Sequence, residues 1–135
     1  DFSRAEGYRA GFQSISAKNA NFESSELRRA NFGGSNLTSA NFEKAELGRT
    51  TYDKADLTDA DFTLANLSRA DLSKATFTKP PRFDRAFMFL SHIEGLDLSG
   101  AADLSQSQVD LACGDKGTKL PSGLQSPAMW PCGDD

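Results

Sequence analysis

The sequence predicts an all-β solenoid with four sides, a chain that turns a corner once every five residues and coils around its own core. Three observations carry this reading: a large apolar residue at almost every fifth position of residues 1–79, a small residue two places before most of these, and a second period of twenty. The centres are Phe2, Phe12, Phe22, Leu27, Phe32, Leu37, Phe42, Leu47, Tyr52, Leu57, Phe62, Leu67, Leu72 and Phe77, with Gly7 and Ala17 as small exceptions. An α-helix advances about 500° in five residues and would scatter these side chains around its cylinder. A flat strand would send successive centres to opposite faces, because five is odd. Turning once per repeat brings them all into one interior.

The longer period gives the number of sides. Phe2, Phe22, Phe42 and Phe62 recur at twenty, as do Glu6, Glu26 and Glu46, and Arg9, Arg29, Arg49 and Arg69. Four repeats therefore complete a turn, and equivalent residues stack one coil above the next at the strand spacing of about 4.8 Å. Units such as Ala40-Asn41-Phe42-Glu43-Lys44 and Ala65-Asn66-Leu67-Ser68-Arg69 resemble the A-[DN]-[LF]-x-x consensus of the pentapeptide repeat family, and the resemblance covers most of the chain. It implies a right-handed quadrilateral β-helix; handedness does not follow from the spacing.

The register slips at Thr78-Lys79-Pro80-Pro81, after which the centres read Phe83, Met88, Ile93 and Leu98, displaced by one residue. This predicts a fifth coil after a bulge near 80–81, distorted because Pro81, Ala86, Ser91 and Leu96 fit the small position less well; an irregular loop is the alternative. The repeat domain is thus 1–103, and 104–135 is a C-terminal cap. Ser105 and Gln108 form a capping box, Leu104 is placed to staple onto Val109, and Gly114 suits a helix terminus, so a short helix is expected over about 106–113. Val109, Ala112 and Cys113 would face the last coil. The remaining segment, rich in Gly and Pro, reads as an extended tail and resembles that found after the repeats in some bacterial family members. A cap is expected on physical grounds, since an open solenoid end exposes core side chains and strand edges.

Cys113 and Cys132 are the chain's two cysteines. In a capping segment they suit a disulfide that pins the tail, which would indicate a periplasmic or secreted protein; two free thiols in a cytoplasmic one is the alternative. No signal peptide or membrane-spanning run is recognisable, although the sequence opens inside a repeat, where a leader has room to have been removed.

Composition and charge narrow the function. The apolar content of 38% is lean for a globule and suits a narrow core. His92, the single histidine, would need a partner and a pocket to act as a general base, and Asp97, one repeat on, and the serines are spread over adjacent sides of a convex rod; no metal-ligand set or phosphate loop is present. Neither catalysis nor a cofactor is expected. Arg9, Arg29, Arg49 and Arg69 would form a column able to hold anionic groups, or, with Glu6, Glu26 and Glu46 three residues before the first three, a self-neutralised solvated face. Lys18, Thr38, Thr58 and Thr78 form another column, explained by β-propensity alone. The expected role is a non-catalytic, rod-like scaffold for another protein, without nucleic acid or membrane insertion, as a monomer or a homodimer through one end.

The resemblance also raises an alternative, since some family members mimic duplex DNA and bind gyrase. Duplex DNA carries one negative charge per ~1.7 Å, so five coils would need roughly fourteen uncompensated negatives, whereas residues 1–79 hold eleven acidic and eleven basic residues.

Overall fold

A computed structural model describes residues 1–133. Each repeat supplies one short side and one corner. Residues preceding the centres pair in parallel with their equivalents twenty positions on, as in Glu6 with Glu26, Glu26 with Glu46 and Glu46 with Asn66. The centre N–H donates to the next coil, Phe42 N to Asp61 O at 2.7 Å, and the N–H before it to the previous one, Asn41 N to Ala20 O at 2.9 Å. At the corner, Ala45 N closes back on Phe42 O at 3.0 Å. Among the described residues, the one two after most centres takes the left-handed conformation, with φ of 53–63° at fifteen non-glycine positions. That conformation costs an L-residue roughly 1–2 kcal/mol, and the ladder on both sides holds it there.

The Asn or Asp before a centre has a physical reason. Its Oδ1 accepts the N–H two residues on, a bond the ladder does not make: Glu43 N to Asn41 at 2.9 Å, Thr63 N to Asp61 at 2.9 Å, Ser73 N to Asp71 at 3.0 Å. A longer Glu is poorly shaped for this local closure.

Inside, rings twenty residues apart stack with centroids 4.8–5.5 Å apart, while rings ten residues apart, on opposite sides of the solenoid, meet edge-on, as Phe22 and Phe32 do at 86°. Thr50, buried in a small position, donates to Leu47 O at 2.8 Å and lies 3.0 Å from the Tyr52 phenol. Three predicted core residues depart from full burial. Phe2 is 41% exposed, because it stacks on Phe22 but has no coil beneath it. Phe12 is half-buried, since Gly7 and Ala17 leave its coil thin. Phe77 is also half-buried and stands where the slip begins.

At the slip, Asp56 still pairs with Thr76, but Asp61 pairs with Arg82, one residue further on. Lys74 and Lys79 drop out of the left-handed corner series, and Pro80 and Pro81 bring no N–H to the ladder. The fifth coil is regular rather than distorted: Phe83, Met88, Ile93 and Leu98 are fully buried, and Pro81, Ala86, Ser91 and Leu96 are buried too. Buried Ser91 satisfies its hydroxyl by donating to Leu67 O at 2.6 Å.

The cap helix, α1, spans Gln106–Leu111 with the Ser105–Gln108 capping box formed. Buried Gln108 also donates to Phe83 O at 2.7 Å and Ala86 O at 2.9 Å, covering the last coil's edge. α1 ends before the expected residue 113 because Ala112 is already extended and Cys113 rejoins the ladder, donating to Ser91 O and accepting from Ile93 N, both at 2.8 Å. Gly114 is therefore not the helix terminus. It leaves room for Trp130, whose ring would lie 2.5 Å from an added Cβ and whose Nε1 donates to Ala112 O at 2.8 Å. Nor is the tail wholly irregular, since Lys119 pairs with Asp97 in a partial sixth coil. Cys113 and Cys132 form a disulfide with Cα atoms 5.5 Å apart. Among the described residues no helix is long and apolar enough to cross a membrane.

Candidate interaction face

The side built on Gly7, Leu27, Leu47, Leu67 and Met88 is unlike the other three. Before its centres stand Glu6, Glu26 and Glu46, where the neighbouring side has Asp1, Asn21 and Asn41. Glu46 does not close a turn; its Oε2 accepts from Asn66 at 3.1 Å and pairs with Arg28 at 3.5 Å. The expected pairing of each Glu with the Arg three residues on is thus replaced here by a diagonal pair between coils. Arg28 is well exposed and Glu46 partly so, which limits such a pair to about 0–1 kcal/mol.

The arginine column forms as a corner. Arg9, Arg29, Arg49 and Arg69 all take the left-handed conformation, with φ of 58–62°, and Arg9, Arg29 and Arg49 line one recess of about 370 Å³. A second recess of about 290 Å³ is lined by Tyr8, Arg28, Arg29, Gly48, Arg49, Ser68 and Arg69. Among the described residues, no acidic side chain lines either one. Five of the chain's eight arginines lie on this side.

The sequence reading missed the column just inside this corner. The corner N–H groups of Arg9, Arg29, Arg49, Arg69 and Leu90 donate to the carbonyls of Arg28, Gly48, Ser68, Phe89 and Leu111, at 2.7–2.9 Å. The column carries Tyr8 and Arg28 in the first two coils, small Gly48 and Ser68 in the middle, and apolar Phe89 and Leu111 at the cap. Tyr8, Phe89 and Leu111 are 64%, 39% and 40% exposed, and neighbouring Phe87 is 48% exposed. The same twenty-residue period marks Tyr8, Arg28, Gly48 and Ser68 in the sequence, but they share no chemistry that would draw the eye. Arg9 lies over the Tyr8 ring at 5.3 Å and Arg69 over Phe89 at 5.7 Å. A hydrogen bond from Arg9 holds the Tyr8 phenol below its ordinary 10.

Elsewhere the candidates serve the turns. Thr58 donates to Asp56 Oδ1 at 2.6 Å, holding that carboxyl below its ordinary 3.8, and accepts from Thr78 N at 3.0 Å. His92 is half-buried with Nδ1 3.0 Å from Glu94 Oε2, a local pair on a convex surface. Among the described residues no group of three or more His, Cys, Asp or Glu is placed to hold a metal.

Residues 18–51 and 47–78 match the family model for pentapeptide repeats, with eight copies. No curated protein matches the chain in sequence. Among solved structures, the pentapeptide repeat protein Rfr23 from the cyanobacterium Cyanothece 51142 is similar at 23% identity over 85% of this chain and 86% of its own, with a TM-score of 0.49. A pentapeptide repeat protein from the Arabidopsis thaliana thylakoid lumen is 26% identical over 87% and 81%, with a TM-score of 0.45. QnrB1, a plasmid-mediated fluoroquinolone resistance protein, is 19% identical over 90% and 78%, with a TM-score of 0.39.

Proposed function

We propose that this chain, a right-handed quadrilateral β-helix belonging to the pentapeptide repeat family, is a non-catalytic protein-interaction rod whose contact surface is the arginine-bearing side. One observation carries the reading: on this side the Asn or Asp that closes each turn gives way to Glu in three successive coils, and arginine fills four successive corners. Neither choice improves the fold, since Glu46 makes no turn bond and the left-handed corner favours Gly or Asn over Arg. Charge and exposed aromatics on a rigid side are what a partner reads. The Cys113–Cys132 disulfide supports a periplasmic or secreted location.

A photo-crosslinking side chain introduced in turn at Gly48, Glu43, Asp53 and Thr58 samples the four sides at equivalent positions. In extracts of the native compartment, position 48 is expected to give a discrete protein adduct and the other three little. Equal labelling from all four would refute a dedicated side. A DNA-mimicking role is opposed by the charge balance of residues 1–79, and gyrase supercoiling should be unaffected by micromolar protein at low salt. Inhibition that disappears as salt rises would reverse that judgement.

A further inference from the structure

Resting on that reading, we infer that the docking element on the arginine side is an amphipathic helix of the partner, laid along the rod, with carboxylates facing Arg9, Arg29 and Arg49 and apolar residues over Phe87, Phe89 and Leu111. Three features of the side select this occupant. The first is spacing. Successive arginines are set by the coil rise, seen in ring stacks 4.8–5.5 Å apart. Residues i, i+3 and i+4 of an α-helix lie about 5–6 Å apart on one face, which matches coil for coil. Same-face residues of an extended strand are about 6.7 Å apart, and phosphates along one DNA strand rise by about 3.4 Å; both fall out of register within a few coils.

The second is chemistry along the axis. The corner runs Arg9, Arg29, Arg49, Arg69 and then Leu90, and the column inside it runs from Tyr8 through Arg28, Gly48 and Ser68 to Phe89 and Leu111, so charge occupies the first four coils and exposed apolar area gathers at the cap. A polyphosphate or sulfated glycan would satisfy the arginines but leave the aromatic end uncovered, whereas a peptide can carry acids at one end and Leu or Phe at the other. The third is shape. Gly48 and Ser68 floor a recess walled by Arg28, Arg29, Arg49 and Arg69, which seats a helix ridge between guanidinium groups. Five coil rises from Tyr8 to Leu111 span about 24 Å, the length of a helix of about 16 residues. Glu6, Glu26 and Glu46 on the far edge of the side repel carboxylates and so fix the helix over the corner.

The test uses the intact, oxidised protein and a fluorescein-labelled, alanine-based helical peptide of about 16 residues, with Glu at i, i+4 and i+7 on one face and Leu near the end that meets the cap. Anisotropy titrations at low salt compare it with a scrambled peptide of the same composition and with inorganic polyphosphate. The patterned peptide should bind about tenfold tighter than the scrambled one. The double variant Arg29→Ala, Arg49→Ala should weaken it about tenfold or more, and Lys44→Ala, Lys54→Ala, which removes the same charge from other sides, less than about twofold. Phe89→Ser should weaken the patterned peptide but not polyphosphate. Equal binding of patterned and scrambled peptides, or polyphosphate competing at full strength with Phe89→Ser silent, would reduce the side to a general anion surface and overturn the inference. Absence of peptide binding while position 48 still crosslinks would overturn it and leave the interaction-rod reading standing.

Discussion

Asn41 and Glu46 occupy equivalent places on adjacent sides of the same coil, yet their side-chain oxygens serve different ends. Asn41 closes its own turn on Glu43 N at 2.9 Å; Glu46 reaches outward and across coils to Asn66 and Arg28. The centres beneath them, Phe42 and Leu47, are both fully buried. The two sides therefore share one frame and differ in what the frame is asked to display. Folding is carried by the centres, the small positions and the turn-closing Asn and Asp; over its first three coils the arginine side has exchanged the last of these for charge, while Asn66 in the fourth still closes its turn on Ser68 N at 3.0 Å.

The largest effect should be the same on both sides. Phe42→Ala and Leu47→Ala each open a cavity in a packed column and are expected to cost about 3–5 and 2–5 kcal/mol in urea melts. Phe2→Ala, at the open end, should cost well under half as much. A mild Leu47→Ala with a severe Phe42→Ala would mean the arginine side is a looser wall, and the shared-frame comparison would fail.

Next in size is the cap, on which the apolar end of the arginine side rests. Cys132→Ser removes the link to Cys113 and should lower stability by roughly 3 kcal/mol in the chain-entropy model for a loop of about 20 residues. Intact mass after alkylation without reductant checks the premise: native protein, once denatured, should take up no alkyl group. Uptake of two would place the protein among reduced ones.

The outer residues then separate the sides. Asn41→Ala removes a turn-closing acceptor and should cost about 1 kcal/mol, whereas Glu46→Ala and Lys44→Ala should each stay below about 0.5 kcal/mol. Equal losses for Asn41 and Glu46 in thermal melts would dissolve the distinction.

The smallest effect is spectroscopic. The chain has two tyrosines, moved in opposite directions: the bond from Arg9 lowers Tyr8, and burial pushes Tyr52 up. Ultraviolet titration should show one phenol ionising below pH 10 and one only well above. Arg9→Ala should raise the first alone. An unmoved first step would show that Tyr8 is not held by the arginine corner.

Much of this was legible in the sequence because the interior keeps a regular period, with a large residue at almost every fifth position and a small one two places before most of these; the first coil, which breaks it at Gly7 and Ala17, still pairs but is the thinnest. The slip was readable at Pro80 and Pro81, since the centres resume at Phe83. What escaped were features that depend on neighbours distant in the chain. Gly114 looked like a helix terminus, but its requirement comes from Trp130, sixteen residues on. Lys119 looked like loop, yet Leu96 and Leu98 capture it into the ladder. Arg9, Arg29, Arg49 and Arg69 stood out as identical residues at a fixed spacing. Tyr8, Gly48 and Phe89 did not, because a column of unlike residues becomes a surface only once the coils are stacked.

The claim that the arginine side is surplus to folding is tested most directly by rewriting it in the pattern of its neighbours. In the variant Glu26→Asn, Glu46→Asn, Arg29→Ser, Arg49→Ser, new turn-closing bonds should form and like charges leave adjacent corners. Circular-dichroism melting should then give a Tm equal to or above that of the parent. A fall of more than about 5 °C, on the order of 1 kcal/mol or more for a domain of this size, would show that the charges hold the solenoid together and contradict the account.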